Sequence, residues 1–204
     1  MKKIIWALIA IGCFSACNTY TNMTKEEKEL TYNGKIDEPF RVLITANEED
    51  SLLLRKKSTD IENVENIAND KDWQFFIERL KLTMAVESGV GISAVQVGVL
   101  RNLFLFMRLD KPEFPVEVAI NPRIVAHSPE EICFEDDGCL SIPGESADSR
   151  RYAWIDVEYY NEKGELIKER LSGVSRQGDF TGIVFQHEYD HLQGVLYIDK
   201  IWNE

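Results

Sequence analysis

The sequence predicts an α+β fold. Three observations carry this: a long stretch with helical apolar spacing, several strand-length apolar runs in the middle of the chain, and a shorter helical stretch near the C-terminus. Phosphate-loop architectures are excluded. Gly89-Val90-Gly91 leads into Ile92-Ser93-Ala94-Val95-Gln96-Val97, which lacks the P-loop Lys-Ser/Thr and the third glycine of a dinucleotide fingerprint.

Each element has its own signal. Arg41 to Thr45 is a short β-branched run and is expected as a strand. Asp50 to Lys57 is expected to run over the surface. Asp60 to Ser88 is helical in pattern, with Trp73, Phe76, Ile77, Leu80 and Met84 on one apolar face. Asp70 is an N-cap or a break within it, and Gly89 and Gly91 end it. Leu103 to Leu109 is a strand, and Val116 to Ile120 another, closed by Asn121-Pro122. Ala153 to Tyr160 and Glu165 to Leu171 form a hairpin with its turn at Asn161 to Gly164. Thr181 to Gln193 is a helix with Gly194 as its C-cap.

The 204 residues are 44% hydrophobic and 28% charged, an ordinary globular composition that suits one domain with an appendage. Lys plus Arg number 23 against 35 Asp plus Glu, a net charge of −12. Such acidity argues against broad nucleic-acid or anionic-lipid binding, which needs clustered Lys and Arg. Four cysteines are too few for a disulfide-built scaffold.

The N-terminus carries an address. Lys2 and Lys3 precede an apolar run from Ile4 to Phe14, too short to cross a bilayer but long enough for a secretory core. Ser15-Ala16-Cys17 follows. This resembles a bacterial lipoprotein signal, with Phe14 where Leu is usual and Cys17 as the lipidated residue. Ala10-Ile11-Gly12-Cys13 is a second, weaker match. The resemblance implies a signal peptide over residues 1–16 and an exported, membrane-anchored protein on the periplasmic or cell-surface side. Loss of Lys2 and Lys3 would take the net charge to −14. Residues 17–38 are polar and are expected as a tether, with the folded domain at 39–204.

The chemistry centres on His187-Glu188-Tyr189-Asp190-His191. Two histidines one helical turn apart project from one face and can hold one metal ion. Glu188 is near enough to act as general base on a metal-bound water. A catalytic site needs a third protein ligand. The extended metalloprotease pattern fails, because Tyr197 stands where its third histidine belongs. The only downstream glutamate is Glu204. The third ligand must therefore lie upstream, among His127, Cys133, Cys139 and many carboxylates.

Three motifs carry a more specific resemblance. Asp137-Gly138-Cys139-Leu140-Ser141 resembles the E-G-C-L-S motif of peptide deformylases. Gly89-Val90-Gly91-Ile92-Ser93-Ala94-Val95-Gln96-Val97-Gly98 is similar to their G-x-G-x-A-A-x-Q-x-G motif. Gln186 to Leu192 matches their Q-H-E-x-D-H-L. They occur in family order and spacing, and the resemblance runs from about Arg41 to Ile201. It implies a mixed fold in which β-sheets pack around the central H-E-x-x-H helix. It also implies a monomer that removes the formyl group from N-formylmethionyl peptides.

The resemblance assigns roles. Cys139, His187 and His191 would be the metal ligands, typically for Fe(II), with Zn(II), Ni(II) and Co(II) also suited to His₂Cys. Glu188 would shuttle the proton. The Gln96 side-chain amide and the Leu140 N–H would stabilise the oxyanion. Gly91 and Gly89 would meet the peptide backbone, while Val90, Ile183 and Val184 would line the methionine pocket. Asp137 replaces the usual Glu and Ser93 an Ala, both conservative. Arg150 and Arg151 are expected as a solvated pair, and Gly144 to Arg151 as a polar stretch on the cleft rim.

Export changes two expectations. Deformylases act on nascent chains, which an exported protein never meets, so formylated peptides outside the cytosol become the substrate. Cys133 and Cys139, six residues apart, could also pair in an oxidising compartment and expel the metal. Two other readings compete: a metallopeptidase or other N-acyl amide hydrolase on the same site, and a catalytically silent lipoprotein that binds formyl peptides.

Overall fold

The computed structural model describes residues 23–203. The expected signal peptide and Cys17 lie outside the described residues. Helix α1 (Lys25–Thr31) opens with a capping box. The Thr24 hydroxyl accepts from the Glu27 N–H at 3.2 Å, and the Glu27 carboxylate accepts from the Thr24 N–H at 2.8 Å. The expected tether is corrected from Met23 onward, because this segment folds onto the body. Met23 and Thr31 are buried, and Glu27 pairs with Arg101 at 2.7 Å. The following loop wraps the buried Arg79, whose guanidinium donates to Thr31 O at 2.7 Å and Glu38 O at 2.9 Å. A polar composition hid the Arg79 contacts because they run to backbone carbonyls.

Two more expectations fail nearby. Arg41–Thr45 is no sheet strand. It bonds at single points, Leu43 N–H to Gln96 O (2.8 Å) and Thr45 N–H to Ser141 O (2.9 Å), and so joins the two loops of the site. The expected surface segment holds α2 (Glu48–Leu54), capped by Asn47, with Leu54 fully buried.

The long helical pattern divides at Asp70. A 3-10 turn (Val64–Asn69) precedes α3 (Lys71–Val86), and the Asp70 carboxylate accepts from the N–H groups of Asp72 (3.0 Å) and Trp73 (3.3 Å). Trp73, Phe76, Ile77, Leu80 and Met84 are all buried. Ser88, rather than a glycine, takes the left-handed conformation that ends α3 (φ 57°). The Ser88 and Gly89 N–H groups then bond back to Ala85 O and Met84 O.

Strands β1 (Gly91–Ser93), β2 (Leu103–Met107), β3 (Val116–His127), β6 (Trp154–Tyr160) and β7 (Leu166–Ser172) form one antiparallel sheet in the order β1-β2-β3-β6-β7. Strands β4 (Glu131–Cys139) and β5 (Ile142–Tyr152) form a second, two-stranded sheet. The β6–β7 hairpin turns at Asn161 to Gly164 as the sequence indicated. β3 does not stop at Pro122. Asn121 (φ 50°) makes a bulge there, its amide exchanges hydrogen bonds with Ile61, and the strand runs on to His127.

Side-chain alternation puts the large sheet between two helices. Leu103 and Leu105 of β2 join Trp73, Phe76 and Leu80 of α3 in one core, while Phe104 and Phe106 join the other. That second core is organised by α4 (Thr181–Leu192), whose Phe185 ring lies 4.8 Å from Phe104 and 5.3 Å from Phe106. β2 reads as a continuous apolar run because both its faces are covered. Helix α4 is buried on nearly every side. Gly182 lets it approach β7, since a Cβ there would lie 3.0 Å from the Leu171 and Ser172 backbone. Gly194 (φ 74°) ends it in a Schellman turn, with Val195 N–H on Asp190 O and Gly194 N–H on His191 O.

Candidate metal centre and cleft

Helix α4 presents His187 and His191, and the end of β4 presents Cys139. Their ligand atoms all lie within 4.8 Å of one another. His191 Nε2 is 3.2 Å from Cys139 Sγ, and its Nδ1 has no partner among the described residues. His187 Nδ1 is 3.0 Å from Asp137 Oδ1, which leaves Nε2 for the shared point. One thiolate and two imidazoles on a common point fit a divalent transition metal. Glu188 is buried beside them, and its Oε2 has no hydrogen-bond partner. Such an orphaned polar atom, next to a complete donor set, marks a position for something the chain itself does not supply.

The other residues singled out in the sequence meet in one cleft of about 510 Å³, lined by Gly89, Val90, Gly91, Gln96, Leu140, Ile183 and Val184 together with Cys139, His187 and Glu188. His191 lies behind it, 1% exposed. Gly91 is dictated by space: a Cβ there would sit 2.5 Å from Glu188 Oε1. Gln96 is fully oriented. Its Oε1 accepts from the Ser93 N–H (2.8 Å) and hydroxyl (3.0 Å), which turns Nε2 toward Ser141 Oγ (3.2 Å) and Cys139 Sγ (3.7 Å). Leu140 sits in the turn between β4 and β5.

Behind Cys139, His187 and His191 runs a buried charge chain that the sequence did not reveal. Arg151, fully enclosed, donates to Asp137 Oδ2 (2.6 Å) and to Asp190 Oδ2 (2.6 Å), and Lys200 reaches Asp190 Oδ1 at 2.7 Å. The Ser149 hydroxyl adds a bond to Asp137 Oδ2 at 2.6 Å. The expectation of a solvated Arg150–Arg151 pair is thereby corrected for Arg151. Strand alternation on β5 turns the two side chains to opposite faces, leaving Arg150 exposed and Arg151 buried. The polar stretch Gly144 to Arg151 is β5 itself. Its sequence lacks the apolar alternation of a strand because polar groups on its inner face serve the site.

Electrostatics follow from this burial. Burial pushes the Asp137 carboxyl upward, but His187, Arg151 and Ser149 outweigh it and hold the group well below the usual carboxylate range. Burial pushes Glu188 up to about 8, Asp137 adding to the rise and His187 and Arg151 opposing it. Burial opposes charge on His187, yet Asp137 and Cys139 raise its pKa; burial and His187 lower that of His191.

His127 and Cys133, left open as ligands, lie elsewhere. His127 stacks on Tyr152 with ring centroids 3.7 Å apart. Cys133 lines a separate cavity of about 190 Å³. The expected Cys133–Cys139 pairing is also corrected. Both lie on strand β4, which holds them on the order of 20 Å apart, far beyond disulfide reach.

An α+β frame that brings a half-buried cysteine and two buried histidines around one point, beside an open cleft, fits a metal-dependent hydrolase. The family model for polypeptide deformylase matches residues 41–204, and the chain belongs to that family. Peptide deformylase 2 of Nostoc sp. is 38% identical over 154 residues, 72% of this chain and 80% of its own. The crystal structure of peptide deformylase from Thermotoga maritima superposes with a TM-score of 0.68 at 32% identity, covering 81% of this chain and 99% of that one. A Met-Ala-Ser-bound class I type b peptide deformylase from Acinetobacter baumannii gives 0.68 at 26% identity, with coverage of 81% and 99%. The family's enzymes are hydrolases that release the N-formyl group of peptides with the help of a divalent metal, and this chain is an enzyme of that class.

Proposed function

We propose that the chain cleaves the formyl group from N-formylmethionyl peptides with Cys139, His187 and His191 as its metal ligands and Glu188 as its proton carrier. The observation that carries this is the buried, unpartnered Glu188 Oε2 beside three convergent donor atoms. Fe(II) is the proposed ion, with Zn(II), Ni(II) and Co(II) as substitutes the donor set also accepts. Such a cation supplies Lewis-acid polarisation and makes water more acidic. Glu188 takes the proton of the attacking water and delivers it to the leaving amine. Gln96 Nε2, locked by Ser93, and the Leu140 N–H donate to the oxyanion that develops on the formyl oxygen. The peptide main chain lies along β1, which ends its sheet among the described residues, next to Gly91. Val90, Ile183 and Val184 receive the methionine side chain.

The N-terminal sequence supports export. Cleavage before Cys17 and lipidation there would anchor a monomer to a membrane, facing formylated peptides outside the cytosol. Among the described residues no helix is long and apolar enough to cross a membrane. Recovery of native protein in the soluble cytosolic fraction, unlipidated, would refute this localisation.

The activity test is formate release from a formyl-Met peptide by the mature chain, prepared anaerobically with Fe(II), beside Glu188→Ala. Formate from the parent with a loss of about 10²–10⁴-fold in the variant is expected. Full metal occupancy with no formate would favour a silent formyl-peptide binder. Cleavage of internal bonds in unblocked peptides would favour a metallopeptidase.

A further inference from the structure

The loop between β7 and α4 places Arg176 in the wall of the cleft, the single Lys or Arg among the described residues that line it. Its guanidinium carbon lies 5.0 Å from the centre of the Phe134 ring and 5.7 Å from that of Phe180. Nε donates to Glu135 O at 3.3 Å and Nη2 to Asp136 O at 2.5 Å. Two carbonyls thus hold the fork in place without neutralising it. Among the described residues Arg176 has no ion pair, and Nη1 keeps its donors. A planar cation stacked on aromatic faces and gripped from behind is a preorganised donor.

Its position gives it a role. His187, Val184, Ile183 and Phe180 succeed one another along α4 and line the same cleft. At 1.5 Å per residue this wall extends about 10 Å outward from His187, and Arg176 covers its outer end at Phe180. A peptide whose main chain lies on β1, with its formyl carbon at the donor set, directs its first side chain along this wall.

We infer that Arg176 is a specificity-determining residue that reads the end of the first side chain. The subsite takes an apolar stem and favours an oxygen acceptor near its end over a wholly apolar end. Methionine sulfoxide has that chemistry; norleucine lacks it. Arg176 is exposed, so its free donors keep water when the side chain ends in hydrocarbon; the gain comes from the charge-assisted hydrogen bond that Nη1 gives to an oxygen acceptor. The inference rests on the deformylase reading.

The test compares formate release from formyl-methionine-sulfoxide-Ala-Ser and formyl-norleucine-Ala-Ser by the metal-loaded mature chain and its Arg176→Leu variant. The readout is the ratio of kcat/KM for the two peptides. Both sample the same folded, loaded fraction, so partial unfolding cannot move the ratio. The sulfoxide-to-norleucine ratio is expected to fall about tenfold in the variant. An unchanged ratio, with formate still released, would overturn this inference alone. No formate from any formyl peptide would overturn the deformylase reading and this inference with it.

Discussion

Asp137 Oδ1 lies 3.0 Å from His187 Nδ1, and both groups are buried. The contact settles which ring nitrogen of His187 is left for a metal. It also links the ligand to Arg151, because the other Asp137 oxygen accepts from that guanidinium at 2.6 Å. A carboxylate that orients a ligating histidine raises its basicity and fixes its ring.

Asp137→Asn should keep the shape and lose the charge. Metal affinity is expected to fall about 10–100-fold. Competition with a chromophoric chelator measures it. Affinity equal to the parent's would show that Asp137 does no more than fill space.

Gly91→Ala should spare the metal and damage the chemistry. The new Cβ would lie 2.5 Å from Glu188 Oε1, so the carboxylate must move. A displacement of about 1 Å at such a group costs on the order of 10²-fold in rate. The expected pattern is full metal content with kcat reduced by that order. A kcat within twofold of the parent would mean Glu188 has room the packing does not show.

Arg151→Met should unfold the chain more easily. It leaves Asp137 and Asp190 without their buried partner, a loss of about 3–5 kcal/mol for a broken buried pair. Urea denaturation of the metal-free proteins tests this, and an unchanged midpoint would contradict it.

The metal-free chain should lose stability from about pH 5 to pH 8 by way of Glu188. Its folded pKa of about 8 exceeds the ordinary 4.5, so the folded state binds more protons in that window and stability falls as pH rises. A tenfold difference in proton affinity between folded and unfolded chain corresponds to about 1.4 kcal/mol. Glu188→Gln removes this dependence. Denaturant midpoints of parent and variant should therefore converge near pH 5 and separate by pH 8, the parent being weaker. Parallel curves would show that burial leaves the carboxylate unperturbed.

The helices were legible where one stripe of apolar residues had to be buried. Trp73 to Met84 shows the 3.6-residue period that a packed helix requires. The second sheet was not legible. β4 and β5 carry Glu131, Asp136, Asp137, Ser149 and Arg151 where an ordinary strand would alternate apolar residues. Their inner polar groups are satisfied by one another, through contacts such as Ser149 to Asp137, rather than by solvent. Helix α1 was hidden for a related reason. Its docking depends on Glu27 meeting Arg101, 74 positions away in the chain.

The sequence by itself determined the donor types, the one-turn separation of His187 and His191, and the motif set that places the chain in its family. Those are properties of local spacing, and a helix converts spacing directly into direction. Only the tertiary structure showed that Cys139 converges with His187 and His191 while Cys133 lies apart, that Asp137 meets His187, that Arg151 is buried, and that Arg176 lies against Phe180. Each depends on β4 and β5 folding back onto α4, and in a strand pair one residue of register exchanges the buried face for the exposed one.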